Sequence, residues 1–231
     1  MIFPYYFDWT IILIIPGIIV AAWAQSRVSR AYRIYSKMHI MSGVSGSETA
    51  RRILLRAGIS GVEIRAATGL LTDNYNPRKR TLNLSEQNYS DSSIAAVAVA
   101  AHESGHAMQH AQGYIPLHMR NVAAPVISVA SYMLWPILML GIFAGFAEQT
   151  INIAVYIFLG IFVFQVITLP VEYNASRRAL SALVEEGILS GEETDGARKM
   201  LNAAALTYVA ATLVALRNVV RFMMISNRRQ R

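Results

Sequence analysis

Residues 94–110, IAAVAVAAHESGHAMQH, join an uninterrupted apolar run to three histidines and one glutamate. The polar residues 91–93 precede the run as candidates for a helix N-cap, and Gly113 follows it as a typical helix stop. The sequence therefore predicts one helix here. Its first half is apolar enough to be buried, and its second half carries side chains that bind metals and move protons.

On such a helix, His102 and His106 lie one turn apart on the same face, where two imidazoles can bind one zinc ion. Glu103 stands beside that face and completes an H-E-x-x-H motif, in which the glutamate takes a proton from an activated water molecule. The pattern also occurs by chance on helix surfaces. The apolar start of this helix favours the metal, because a carboxylate near buried surface is costly without a function.

His110 continues the row of histidines but lies ~12 Å along the helix from His102, too far to bind the same ion. We expect it to be a polar residue of the helix surface or a group on the substrate side. The longer metzincin motif needs Gly at position 109 and His at position 112. Both positions are Gln in this chain, which excludes that subclass.

A catalytic zinc site needs a third protein ligand, and a glutamate from a second helix is a common solution. The segment VEYNASRRALSALVEEG places Glu172, Ser176, Ala179 and Leu183 on one helical face, which favours Glu172. The other candidates lie in an acidic stretch typical of a solvated surface, and they are Glu185, Glu186, Glu192 and Glu193.

The chain has the composition of a membrane protein. It has 54% hydrophobic residues and a mean hydropathy of +0.37, above the usual range for soluble proteins. None of its 21 Lys and Arg residues lies between Arg120 and Arg177. That gap contains two apolar runs, 124–147 and 151–170, each close to the ~20 residues that cross a bilayer. Residues 148–150 are expected to form the turn between them.

A further apolar run, residues 9–24, is followed by the basic segment 27–37, which indicates a retained anchor rather than a cleaved signal peptide. The positive-inside rule then places residues 25–120, and the chain after Pro170, in the cytoplasm. The last apolar run, 203–216, is shorter than a span and is expected to be an interfacial or core helix on the cytoplasmic side.

The net charge of +7 is explained by these basic residues beside membrane segments. They lack aromatic interleaving, so topology and anionic lipid account for them better than nucleic acid does. The absence of cysteine excludes Cys-based metal and redox motifs.

Short elements surround the motif helix. Ser45 and Glu48 form a capping box that predicts a short helix ending near Gly58. Residues 62–67 and 81–85 resemble strands, separated by a turn-rich loop. The strand 81–85 is expected to offer a free edge to an extended substrate peptide.

The segments AAHESGHAMQHAQGY, LPVEYNASRRAL, LTDNYNP and TLNLSE together resemble the bacterial YugP-type membrane zinc metallopeptidases, from about Arg27 to the C-terminal region. The resemblance implies a gluzincin-type protease with His102, His106 and Glu172 as zinc ligands and Glu103 as the base. The family tends to have Asp where Asn174 stands, and TDHYDP where this chain has TDNYNP. Asn at positions 74, 76 and 174 therefore removes charge that could orient a ligand.

We therefore expect a mostly α membrane protein whose zincin-like cytoplasmic domain, with a few short β-strands, is interrupted by a transmembrane hairpin. The predicted divisions are an anchor at 1–25, the first half of the protease domain with the motif helix at 26–120, the hairpin at 121–170, and the second half at 171–231 with the third-ligand helix and the C-terminal apolar helix.

The predicted activity is zinc-dependent hydrolysis of peptide bonds at the cytoplasmic membrane surface, with a single Zn²⁺ per chain and with protein or peptide substrates that include membrane proteins near the bilayer. His2Glu ligation also accepts manganese, cobalt or iron. Candidates for oxyanion or ligand-orienting groups are Asn74, His110, Tyr173, Asn174, Ser176 and Arg177; Arg178 is also close in sequence.

An intramembrane protease and a non-catalytic scaffold are the two alternatives to this function. An intramembrane protease would carry the motif inside a spanning helix, but the apolar run 94–101 is far shorter than ~20 residues. The alternative of a different class is a non-catalytic membrane scaffold or chaperone with a structural metal site. Such a closed site needs a fourth protein ligand, and the chain offers no cysteine for it.

Overall fold

The computed structural model describes residues 9–69 and 72–229, the side chains at positions 9, 11, 228 and 229 excepted. These residues form a mostly helical protein with three short strands, as the sequence predicts. After a 3₁₀ turn at Trp9–Leu13, the helices are α1 Ile14–Tyr35, α2 Gly46–Arg56, α3 Glu86–Ser90, α4 Ile94–Ala111, α5 Ile115–Phe143, α6 Ala147–Glu185 and α7 Gly191–Arg229. The strands are β1 Glu63–Ala67, β2 Asn74–Asn76 and β3 Thr81–Ser85.

Three helices, α5, α6 and α7, are long and apolar enough to cross a membrane by length and composition. This agrees with the predicted class of membrane protein. The first eight residues of the predicted anchor lie outside the described part of the chain, and its remainder begins as the 3₁₀ turn before continuing into α1.

The turn of the apolar hairpin lies at residues 144–146 rather than at 148–150 as predicted. Gly145 adopts a φ of +82°, a conformation that glycine accepts without strain. Glu148 instead lies in the first turn of α6, where the helix dipole favours a carboxylate. The helix that contains the second apolar run continues through Pro170 to Glu185.

The final apolar run is part of α7, a helix of 39 residues, so the prediction of a short interfacial or core helix was wrong about its length. Arg217 and Arg221 break the apolar pattern without ending the helix, since arginine is a good helix former. Near the end of α7, the Ser226 hydroxyl donates to the side-chain oxygen of Asn152, shortly after the hairpin turn. The end of α7 therefore lies on the same side as that turn.

The chain divides into two compact units. One contains the N-terminal segment as far as Trp23, residues 121–166 and the chain from Val209 onward. The other contains residues 24–120 and 167–208, and it includes α4, all three strands and the C-terminal part of α6. We call the latter the site-bearing unit.

The three strands form one sheet in the order β1-β3-β2. β3 pairs in parallel with β1 and antiparallel with β2, so both of its edges are occupied. The prediction that strand 81–85 offers a free edge was therefore wrong. The sequence did not reveal β2, because its three residues lie within a loop rich in turn-forming residues. β2 is an edge strand of this sheet.

The core of the site-bearing unit is built around the apolar half of α4. Ala95, Val97, Ala98 and Ala101 are fully buried and pack in a cluster with residues of α2, α6 and α7. The capping prediction for α2 is confirmed, because Ser45 Oγ accepts a hydrogen bond from the backbone N–H of Glu48. α4 is capped in the same way, by Ser93 on the N–H of Ala96.

Candidate metal centre

The site begins with an unusually close approach of two helices. Gly105 of α4 faces the backbone of α6, and a Cβ atom at Gly105 would lie only 2.6 Å from the carbonyl oxygen of Ala175. Two helices can approach this closely only where one of them has no side chain at the contact. The contact lies between His102 and His106 on one helix and beside Glu172 on the other.

The imidazole nitrogens of both motif histidines face the carboxylate of Glu172. Nε2 of His102 lies 3.2 Å from Oε2, and Nε2 of His106 lies 3.8 Å from Oε1. One ligand atom from each of the three residues falls within 4.8 Å of the others. Tetrahedral ligands about 2.1 Å from a zinc ion would be about 3.4 Å apart, so the arrangement fits a single ion with little movement.

The environment of Glu172 also suits a cation. Its side chain is almost completely buried, yet among the residues that the structure describes no donor meets either carboxylate oxygen with regular hydrogen-bond geometry. Arg120 lies with Nη1 3.1 Å from Oε1, and Tyr208 lies beside the carboxylate in the same cavity. A buried carboxylate is costly unless cations or metals compensate its charge. His102, His106 and Glu172 can therefore hold a zinc ion and leave a fourth coordination position free.

Glu103 lies next to this cluster in a cavity of about 240 Å³ that has an otherwise mainly apolar wall. Burial raises the pKa of Glu103 to about 7, and the nearby carboxylates of Glu172 and Asp73 add to the shift. The charge of His102 and the backbone N–H of Tyr75, which donates to Glu103, act in the opposite direction. A carboxyl group with such a pKa can both accept and release a proton near neutral pH.

Neutral side chains support both histidines from behind. The Ser176 hydroxyl lies 3.1 Å from Nδ1 of His102, and Oε1 of Gln109 lies 3.0 Å from Nδ1 of His106. Each contact leaves Nε2 directed at Glu172. Metal-binding histidines are commonly oriented in this way through the other ring nitrogen.

Comparison with known proteins identifies the family to which this chain belongs. The family model described as "Putative neutral zinc metallopeptidase" matches residues 10–227. The chain belongs to this family. The chain is also 44% identical over 215 residues to a protein of Bacillus subtilis (strain 168) named "Putative membrane protease YugP". That alignment covers 93% of this chain and 95% of the relative. No solved structure matches the chain.

The other predicted site residues lie in surroundings separate from the three candidate ligands. Asn74 accepts a hydrogen bond from Asn83 and donates one to the carbonyl of Thr72 within the strand region. His110 lies with Nδ1 2.8 Å from the Tyr75 hydroxyl and is not part of the metal cluster. Its predicted role as a polar surface residue agrees with its exposure.

The remaining candidates lie on α6 beyond Glu172. Tyr173 and Arg177 are exposed and line a groove of about 740 Å³ between α6 and α7, and Ser176 lines both this groove and the cavity of Glu103. Asn174 instead contacts Gln109 and Arg178. The four other candidate glutamates also lie elsewhere. Glu185 and Glu186 pair with Arg56, Glu193 accepts from the N–H of Met41, and Glu192 is exposed in the first turn of α7.

Four residues around the site escaped sequence reasoning. Asp73 accepts hydrogen bonds from Ser85 and Asn88 and lines the cavity of Glu103, and its position in the TDNYNP segment was the available signal. Gln109 lies three residues after His106, a spacing that places it on the same helical side. Arg120 and Tyr208 carry no local pattern that could have marked them.

Proposed function

We propose that the chain is a membrane-anchored zinc metalloendopeptidase whose active site lies at the cytoplasmic membrane surface. The observation that carries the proposal is the buried carboxylate of Glu172 facing His102 and His106, with Glu103 in the adjoining cavity. A zinc ion held there would supply a Lewis acid that activates water and polarises a peptide carbonyl. Zinc as the metal is supported by the family to which the chain belongs.

Glu103 is proposed as the general base and then the general acid. Its carboxylate takes a proton from the attacking water molecule and delivers that proton to the amine that leaves. The backbone N–H of Tyr75 would hold the carboxylate in place, because it donates to Glu103 from the neighbouring edge strand. The apolar residues of the cavity, Val99, Met200, Leu201, Ala204 and Ala205, would limit access of bulk water.

The substrate is proposed to be an extended peptide segment. Within the described part of the chain β2 pairs with β3 alone. Apart from the Tyr75 N–H that donates to Glu103, its other edge can form backbone hydrogen bonds with a peptide. The groove of about 740 Å³ shares Ser176 with the cavity of Glu103, so an extended chain could continue into it. Glu172 follows the apolar part of α6 directly. This is the reason for proposing membrane proteins near the bilayer as substrates alongside unfolded cytosolic segments.

A Glu103→Gln variant tests the proposal against a non-catalytic metal-binding scaffold. The variant is expected to retain bound zinc and to lose hydrolysis of an unfolded protein substrate by about 10²- to 10⁴-fold. Glu86→Gln, an exposed change outside the site, is the matched control and should retain both. Hydrolysis by Glu103→Gln at the rate of the unmodified protein would reject Glu103 as the base. A zinc-loaded unmodified protein that hydrolyses no peptide would reject the enzyme and favour the scaffold.

A further inference from the structure

One buried amide connects the metal ligands of the two helices. Gln109 is completely buried. Its Nε2 lies 2.8 Å from the carbonyl oxygen of Val171 and 2.9 Å from Oδ1 of Asn174, and its Oε1 lies 3.0 Å from Nδ1 of His106. Gln109 therefore joins the ligand His106 to the backbone immediately before the ligand Glu172.

The directions of these hydrogen bonds follow from groups that have only one possible role. A backbone carbonyl can only accept, so the Gln109 atom beside Val171 is the amide nitrogen. A guanidinium can only donate, and Nε of Arg178 lies 2.7 Å from Asn174, so the Asn174 atom there is its oxygen. Both N–H groups of Gln109 are then used on acceptors. Its oxygen faces His106 and must accept a hydrogen bond from Nδ1–H of that ring.

We infer that Gln109 holds His106 as the tautomer protonated on Nδ1, with the lone pair of Nε2 directed at the metal position before any metal binds. Gln109 acts as a positioning residue for His106, with Asn174 and Arg178 fixing its orientation. The inference rests on the proposed zinc site. The tautomer of His106 is important at such a site because a metal binds the unprotonated ring nitrogen.

His102 provides the contrast within the same centre. Its Nδ1 contacts the hydroxyl of Ser176, and a hydroxyl can donate as well as accept. That contact orients the ring but does not by itself impose a tautomer. The carboxylate of Glu172, which can only accept, lies 3.2 Å from Nε2 of His102, so in the metal-free protein this ring carries its proton on Nε2 and accepts from the hydroxyl. The two histidines therefore differ in preparation for the metal: Nε2 of His106 is already unprotonated, whereas His102 must change its tautomer, which the Ser176 hydroxyl permits.

This chain of hydrogen bonds, which we call the relay and which runs from Arg178 through Asn174 and Gln109 to His106, also explains why asparagine is suitable at position 174. The side chain at this position acts through an oxygen that accepts from both Gln109 and Arg178. Aspartate would offer the same oxygen, so this position needs an acceptor and not a charge. The direction of the relay then depends on Val171 and Arg178 and does not require a negative charge.

The direct test is ¹⁵N nuclear magnetic resonance of the full-length, metal-free protein in detergent, with labelled histidine, at alkaline pH where the imidazoles are neutral. The signals of His106 are assigned by their loss in a His106→Asn variant. We expect a protonated Nδ1 and an unprotonated Nε2 for His106 in the unmodified protein. A protonated Nε2 at His106 under these conditions would overturn the inference without the need for any Gln109 variant.

Two variants of Gln109 test its effect on zinc affinity. Gln109→Met keeps the volume and removes the acceptor, so it should bind zinc about 10- to 100-fold more weakly, as measured by competition with a chelator. Gln109→Glu also loses the N–H groups that donate to Val171 and Asn174 but keeps an acceptor for Nδ1–H, so its affinity should fall less than that of Gln109→Met. Gln87→Met, at an exposed position of α3, is the matched control and should not change the affinity.

An equal loss of zinc affinity in Gln109→Met and Gln109→Glu would show that packing, rather than the acceptor, is responsible and would overturn the inference. Should either variant fail to fold, the spectrum of the unmodified protein alone decides. A protein with the expected tautomer and zinc affinity that hydrolyses no peptide would reject the proposed function and leave the role of Gln109 in place.

Discussion

The Ser176 hydroxyl lies 3.1 Å from Nδ1 of His102, and Ser176 stands one helical turn after Glu172. One face of α6 thus carries both a proposed metal ligand and the group that orients a ligand of the opposite helix. A rotation of α6 about its axis would therefore move both Glu172 and the hydroxyl that orients His102.

Removing that hydroxyl should weaken metal binding to a limited extent. Ser176→Ala deletes one neutral hydrogen bond of about 0.5–1.5 kcal/mol, so zinc affinity should fall by about 2- to 10-fold. Competition with a chromophoric chelator measures the change. Ser181→Ala, an exposed serine on the same helix, is the control, and equal affinities of the two variants would contradict the orienting role.

Loss of the third ligand should have a much larger effect. Glu172→Gln keeps the size of this buried side chain but removes the charge that faces the two imidazoles. Zinc content of the purified protein, measured by elemental analysis, should fall from about one ion per chain to a small fraction. Glu185→Gln, exposed at the end of the same helix, should keep its zinc. Full zinc content in Glu172→Gln would place the third ligand elsewhere.

The close approach of α4 and α6 predicts a steric effect at Gly105. A Cβ atom there would lie 2.6 Å from the carbonyl oxygen of Ala175, so Gly105→Ala must push the helices apart. We expect a loss of about 1–3 kcal/mol in the free energy of unfolding, measured by thermal or denaturant unfolding of the metal-free protein.

The matched control is another helical glycine, Gly160 of α6, where the nearest atom to an added Cβ is the terminal carbon of Ile127 at 3.4 Å. Gly160→Ala should be neutral or slightly stabilising, since alanine has the higher helix propensity. Similar behaviour of the two variants would show that the helix contact at Gly105 is not tight in solution.

The N–H group of Tyr75 should matter more than its side chain. Tyr75→Pro removes the N–H that donates to Glu103, and an edge strand tolerates proline. Tyr75→Phe removes only the hydroxyl that contacts His110. At unchanged zinc content, the proline variant should lose most of the hydrolytic rate and the phenylalanine variant little of it. Equal rates would exclude a function for the N–H group.

The absence of native cysteine makes the topology directly testable. Because Ser226 contacts Asn152, the end of α7 and the hairpin turn should be on the same side of the membrane. A membrane-impermeant thiol reagent applied to intact cells should modify Glu148→Cys and Asn227→Cys but not Ser60→Cys. All three residues are exposed. Protection of Asn227→Cys together with modification of Glu148→Cys would contradict the structure of α7.

Local sequence patterns predicted the parts of the protein that depend on neighbours along the chain. The caps of α2 and α4, strand β3 and the spacing of His102 and His106 all belong to this class. Glu172 was accessible as well, because its helical face is apolar at Ala179 and Leu183, both of which are fully buried. These features need only the periodicity of a helix or strand and a capping residue.

Features that depend on tertiary contacts could not be predicted. Gln109 is one of several polar residues on α4 until α6 places Val171 and Asn174 beside it. The hairpin turn lies at Gly145 rather than at the polar residues 148–150, because a glycine with positive φ turns the backbone there and Glu148 suits the first turn of the next helix.

The proposed ligands stand on opposite sides of the apolar hairpin in the chain, with His102 and His106 before it and Glu172 after it. No continuous soluble fragment can therefore carry the complete set. Proteolytic shedding from the bilayer would separate the imidazoles from the carboxylate and abolish the centre. The order of the ligands along the chain would therefore confine the activity to the membrane-bound protein. The cell would need no additional inhibitor against fragments released from the membrane.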